Sequence, residues 1–337
     1  MTVQTSLYAS RLRQELNLRN RVYARGRAHV ESYGNAPVVV YEPEEGRHGN
    51  FFDAANESIC SQPEWARRFD KIHAQASRSL PRPQLDPTRR WRELDSSMSS
   101  DALLMNIFCT PGVAKSVLIQ NALGVGPDAS PMFGWKARVP LANGRFDRTE
   151  VDMRIGSLLV EAKLTEVGFQ TRAAAIVQGY RDFDEVFDHD LLPRAEIPTA
   201  RWMQSSEFPE EASQEFESVV GDLESFSVAD TAFRPPGEPG YASYQLIRGV
   251  LAAHASDSSF CVLHDERRPD LREEWFSVMA AVKSATIRVR LKVLTWQELA
   301  ELLPAELQEF LAVKYGIVPP GQTAASFGEI ADDLERV

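Results

Sequence analysis

The stretch Arg148–Lys163, RTEVDMRIGSLLVEAK, reads as a β-hairpin that folds at Gly156-Ser157. A glycine in the first central position is what a two-residue type II′ turn requires. With Ile155 facing Leu158, Asp152 falls opposite Glu161 and Glu150 opposite Lys163. Side chains alternate along a strand, so these four charged residues share one face. Val151, Met153, Ile155, Leu158, Val160 and Ala162 form the other, an apolar face for a core. A slip of one residue would bury the charges, which specifies the register.

Directly opposed residues on such a pair have Cβ atoms about 4.5–5.5 Å apart, so Asp152 and Glu161 repel unless a cation lies between them. Mg²⁺, or Mn²⁺ in its place, suits the site: it favours hard oxygen ligands and uses one or two carboxylates beside waters and phosphate oxygens. The backbone carbonyl of Ala162 is a further candidate ligand. Lys163 is placed to hold or deprotonate a water, or to neutralise charge on a phosphorus under attack. Burial would lower its pKa and neighbouring carboxylates would favour its charged form. The same residues, with Arg154, also fit a solvated cross-strand salt-bridge ladder. Agreement of the turn chemistry with both face patterns favours the metal site.

At these residues the chain resembles the PD-(D/E)XK nuclease superfamily, whose restriction-endonuclease-like core is a mixed sheet flanked by helices. Asp152 matches the metal-binding Asp, Glu161 the (D/E) and Lys163 the Lys; Val151 stands where the motif has Pro. The resemblance implies a mixed α/β fold and the element order α-β-β-β-α-β. Into that order fit a helix over Asp101–Phe108 continued by Val113–Ala122, a strand over Met132–Val139, the hairpin, and a helix over Tyr241–Ala255. Phe260–His264 and Arg288–Leu294 read as strands, and Trp296–Tyr315 as a helix broken or bent at Pro304. Some members carry a Gln and Tyr on the helix behind the third strand. Gln178 with Tyr180 and Gln245 with Tyr244 both qualify, and Gln245 is preferred as an accessory residue. Some also place an acid on the first helix, where Asp101 and Asn106 stand; Asp101 reads first as a charge complementing the helix dipole. Glu150 and Glu57 complete the accessory candidates.

The formal charge of −11 over 337 residues is unfavourable for approaching phosphates. Its distribution answers part of the objection. Between Asp182 and Asp230 stand 14 acids and two arginines, whereas Met1–Ser97 holds 15 cations and 12 acids. The chain is therefore read as a mildly basic, partly helical N-terminal extension (1–97) and a nuclease-like core (98–337), with an acidic insertion at 182–240. Trp202–Phe208 and Phe216–Leu223 read as short helices within that insertion, and PPGEPG at Pro235–Gly240 as a turn or linker. The insertion is a solvated excursion or an acidic flap over the cleft. Arg11, Arg13, Arg19, Arg21, Arg25 and Arg27 recur through a helical stretch that suits either a phosphate backbone or plain solvation. Pro63 starts a second expected helix, with Trp65, Phe69 and Ile72 on one face and Arg67, Arg68 and Lys71 on the other. Arg89-Arg90 with Trp91 suits a nucleic-acid contact and equally a salt-bridged docking of the N-terminal segment onto the core.

No apolar run is long enough for a bilayer, the N-terminus lacks a signal-peptide core, and Cys60, Cys109 and Cys261 have no metal-ligand spacing, which suits a cytoplasmic protein. The six histidines form no zinc-binding pair. The expected function is a Mg²⁺-dependent nuclease acting on DNA, of a restriction or repair type and able to work as a homodimer. An RNA nuclease, or a catalytically silent nucleic-acid-binding or scaffold protein on the same fold, is the alternative.

Overall fold

The computed structural model describes residues 2–32, 38–72, 92–148, 150–197 and 237–322. Gly156 takes φ +57° while Ser157 stays out of the left-handed region, as the hairpin turn demands. Around that turn five strands form the central sheet: β1 (Pro131–Lys136), β2 (Glu150–Ile155), β3 (Leu158–Ala162), β4 (Ser259–His264) and β5 (Leu291–Thr295). Their spatial order is β5-β4-β3-β2-β1. The first three form an antiparallel meander, and β4 and β5 then run parallel to β3.

Helices cover both faces. In chain order they are α1 (Thr2–Tyr23), α2 (Asp53–Ser61), α3 (Ser100–Phe108), α4 (Val117–Leu123), α5 (Tyr244–Ala255), α6 (Pro269–Ala280), α7 (Trp296–Ala300) and α8 (Ala305–Tyr315). Helix α5 buries Leu246, Ile247, Val250 and Leu251, an i, i+1, i+4, i+5 stripe that packs with Leu159, Phe260 and Val262. On the opposite face Met153, Val160, Ala162, Cys261 and Leu263 share a core with Leu103 and Leu104 of α3, Leu299 of α7 and Leu311 of α8. Leu12 and Leu16 of α1 belong to this same core, so the N-terminal helix is packed into the sandwich. Ser99 caps α3 by accepting the Ala102 N–H, and Thr295 with Glu298 forms a capping box on α7. The architecture is the mixed α/β sandwich, compatible with a restriction-endonuclease-like core, that the sequence implied.

Several expected boundaries move. The second part of the first helical run is confined to α4, and β1 ends at Lys136, with Val139–Pro140 a separate short strand. Helix α5 starts at Tyr244 because Glu238–Tyr241 is a strand, the centre of a small sheet between Arg172–Ala173 and Arg194–Ile197. The last strand starts at Leu291, after a short helix over Ala285–Arg288. The helix broken at Pro304 is indeed two helices. The expected Pro63 helix is one turn, Pro63–Ala66, followed by a 3₁₀ turn over Arg67–Asp70. Trp65 packs on Phe133 and Phe69 stacks near His48, whereas Ile72 is exposed.

The acidic insertion does not begin as a solvated excursion, because Phe183, Val186, Phe187 and Leu192 are buried in the α5-side core. The candidate helices Trp202–Phe208 and Phe216–Leu223, Pro235 and Pro236 of the PPGEPG turn, and Arg89, Arg90 and Trp91 lie outside the described residues. Of the N-terminal arginines, Arg13 donates to the Thr165 carbonyl, Arg19 to Glu15, Arg21 to Glu31 and Arg27 to the Tyr23 carbonyl. These four serve intramolecular contacts rather than a free basic stripe.

Candidate active site

Strand β3 lies in the middle of the sheet, so its polar side chains enter a covered layer. All of Leu158–Ala162 is buried, and Leu159 packs on the same side as α5. The expected one-sided hairpin is therefore covered on both faces, as strands beside parallel neighbours generally are. Val151 joins Leu159 on the α5 side, apart from Met153 and Ile155. The register is the expected one, pairing Ile155 with Leu158, Arg154 with Leu159 and Met153 with Val160. Pairing stops there, so neither the anticipated Asp152–Glu161 pair nor the Glu150–Lys163 pair forms. Instead Glu150 stands opposite Lys136 on β1.

Where the ladder stops, Asp152 takes over. Its half-buried carboxylate accepts the Ala162 N–H at 2.7 Å. The N–H and C=O of an extended residue point to the same side, so the Ala162 carbonyl faces the same opening. Lys163 and Glu161 are 5% and 3% exposed, and Lys163 Nζ donates to Glu161 Oε1 at 2.7 Å. The Phe169 ring lies 5.6 Å from that ammonium. Burial, then the charges of Glu161 and Asp101, push the Asp152 carboxyl well above the ordinary aspartate value. Burial alone would lower Lys163, but Glu161, Glu166 and Asp152 outweigh it and raise its pKa. Lys163 is thus a fixed cation, which narrows its role to holding groups and neutralising charge.

Asp101 is nearer this site than its sequence reading as a dipole charge suggested. Arg68 donates to Asp101 Oδ2 at 2.6 Å and to Glu150 Oε1 at 2.8 Å, and Lys71 lies 3.3 Å from both carboxylates. Burial would raise Asp101, but Lys71 and Arg68 hold it below its ordinary value, and they hold Glu150 down likewise. Gly134 makes this possible: with φ +62° it interrupts the β1–β2 pairing between Phe133–Met153 and Trp135–Val151, and a Cβ there would collide with the Arg68 guanidinium. Asp101 and Glu150 are thereby neutralised, whereas Glu161 has the Lys163 ammonium and Asp152 the Ala162 N–H. Among the described residues no group of three or more His, Cys, Asp or Glu side chains is arranged to hold a metal. The donor set that remains is two carboxylates and a carbonyl, with excess negative charge in a sheltered place. This is the minimal protein contribution to a Mg²⁺ site.

Residues the sequence did not single out keep Lys163 in place. Ser100 Oγ donates to Glu166 Oε1 at 2.6 Å, and the Leu164 N–H to Glu166 Oε2 at 2.7 Å. Fully buried Arg268 donates to the carbonyls of Glu166 and Val167 and to Asp270. Trp296 Nε1 donates to the Lys163 carbonyl at 2.9 Å. Of the accessory candidates, Gln245 lies on the first turn of α5, where its N–H donates to the carbonyl of Phe169, the residue beside Lys163. Gln178 instead donates to the Tyr241 hydroxyl, and Tyr180 bonds to Tyr244 and Asp147. Glu57 is exposed on α2, whose buried side is Ala55, Asn56 and Ile59. Asn106 is buried and structural, accepting the Phe52 N–H.

No curated protein and no solved structure matches the chain. Among the described residues no helix is long and apolar enough to cross a membrane. A family model described as "Restriction Endonuclease associating with ARP" matches residues 17–316 of the 337, and the chain belongs to that family.

Proposed function

We propose that this protein is a Mg²⁺-dependent nuclease of the PD-(D/E)XK type that hydrolyses phosphodiester bonds in DNA. What supports this reading is that the Asp152 carboxylate, held by the Ala162 N–H, and the Glu161 carboxylate, held by Lys163, act on each other electrostatically at the end of the β2–β3 ladder. Asp152, Glu161 and the Ala162 carbonyl would hold the ion. A bound Mg²⁺ supplies polarisation of the scissile phosphate and a lowered pKa for an attacking water. The chain's own part is electrostatic and positional. The Ala162 N–H fixes the Asp152 carboxylate, and Lys163 orients Glu161 while remaining charged to stabilise negative charge that develops on the phosphate. Gln245, at the start of α5, would line the approach from the Phe169 side. The family description adds association with a partner, ARP, and we infer that this chain also works beside such a partner.

Nicking of supercoiled plasmid tests the proposal. Wild-type protein should nick DNA with Mg²⁺ or Mn²⁺ and not with a chelator, and Asp152→Ala and Glu161→Ala should be inactive while folded. Cleavage that persists in both variants would refute the assignment. The same assay on RNA separates the two nuclease readings.

A further inference from the structure

The connection from β1 to β2 carries the positive charge that the chain as a whole lacks. Lys136 at the end of β1 and Arg138, Arg145 and Arg148 in the connection stand against one acid there, Asp147, in a protein of net charge −11. All four cations are exposed, and among the described residues none of them is ion-paired, in contrast to Arg68, Arg267 and Arg268. They are mounted on a small hairpin in which Val139–Pro140 pairs with Phe146–Asp147. The tip is closed by a Leu141 N–H to Arg145 carbonyl bond of 2.9 Å, by the Asn143 side chain accepting the Arg145 N–H at 3.0 Å, and by Gly144 at φ +79°. The base of the hairpin is anchored. Val139 and Pro140 are buried, Ala142 N–H donates to Gly179 O at 2.9 Å, Arg181 N–H donates to Pro140 O at 3.0 Å, and Tyr180 donates to Asp147. Phe146 stays 45% exposed, with the Arg138 guanidinium over its ring at 4.4 Å.

This is an anchored, cationic projection with an exposed aromatic ring on its flank, at the open end of the strand pair that carries Asp152. Arg148 precedes Asp152 by four residues, so at most about 13 Å of chain separates them, well within one turn of a DNA duplex. We propose that the 136–148 hairpin is the arm that grips the phosphate backbone of duplex DNA beside the scissile position. The placement relative to the cut rests on the nuclease reading above, whereas the DNA affinity of the arm does not. Phosphate contacts by unpaired cations release counterions, so they give a salt dependence that can be counted.

Fluorescence anisotropy with a short labelled duplex, in chelator so that nothing is cleaved, tests the arm. Because Arg145 and Arg148 are exposed and form no ion pair among the described residues, Arg145→Ala/Arg148→Ala should melt like wild type. It should bind at least about tenfold more weakly at low salt, with the slope of log affinity against log salt reduced by about 2. Arg288→Ala, an exposed arginine beside the opposite sheet edge, should change neither. Unchanged affinity and slope in the hairpin variant, or no DNA affinity in wild type, would overturn the arm. Plasmid cleavage judges the nuclease reading separately. A nicking enzyme whose hairpin variant binds normally keeps that reading and loses the arm, and hairpin-dependent binding without metal-dependent nicking does the reverse.

Discussion

Asp152 bears the cost of the site. Its carboxylate faces Glu161 and Asp101 in a sheltered place, and its raised pKa records that cost in the metal-free protein. Asp152→Asn keeps an oxygen for the Ala162 N–H and removes the repelling charge. It should therefore raise the stability of the metal-free protein while abolishing cleavage. Urea denaturation beside the nicking assay checks both halves. Lys163→Met should also be inactive but in the opposite direction for stability, losing about 3–5 kcal/mol because Glu161 is left buried without its ammonium. The turn and the register from Ile155–Leu158 to Met153–Val160 were legible in the sequence, because a turn glycine and a period of two set them; the end of the ladder beside Asp152 was not. Nor were the neighbours. Arg68, Lys71 and Glu166 reach the site from segments whose approach depends on tertiary packing, and no local periodicity encodes it.

Among the elements, β1 shows how a local irregularity serves the site. Gly134 interrupts the pairing of β1 with β2 and leaves the space that the Arg68 guanidinium fills between Asp101 and Glu150. Gly134→Ala should cost about 2–4 kcal/mol, through the left-handed backbone and the expelled guanidinium, and thermal denaturation measures it. The strands and helices with clear periodicity, β2, β3, β4 and the pair broken at Pro304, were readable to within a few residues. Elements whose sequence is dominated by charge or by Pro and Gly were not. Asp182–Asp190 reads as solvated by its acids, yet Phe183, Val186 and Phe187 turn it into the core. Glu238–Tyr241 reads as linker by composition, yet its backbone completes a small sheet. Net composition cannot reveal which few apolar residues in a charged run are the ones that pack.

In the molecule as a whole, the N-terminal helix is held to the C-terminal one by an unusual contact. Lys314 of α8 is fully buried, donates to Asn20 Oδ1 of α1 at 2.9 Å, and lies 4.4–5.7 Å from the ring centres of Tyr315, Tyr41 and Tyr23. Burial, and then Arg27, push its pKa well below the usual lysine value. Between that lowered value and about 10.4 the unfolded chain carries a proton that the folded chain lacks, so stability should rise with pH through this window. Lys314→Met should flatten the rise and leave the protein more stable at neutral pH, since Asn20 Oδ1 still accepts from Tyr41. Urea midpoints taken across the pH series read this directly. The measurement closest to the central claim is a calorimetric titration of the purified protein with Mn²⁺. The account predicts one saturable site in wild type that is lost in both Asp152→Asn and Glu161→Gln. The same binding isotherm in all three proteins would contradict it.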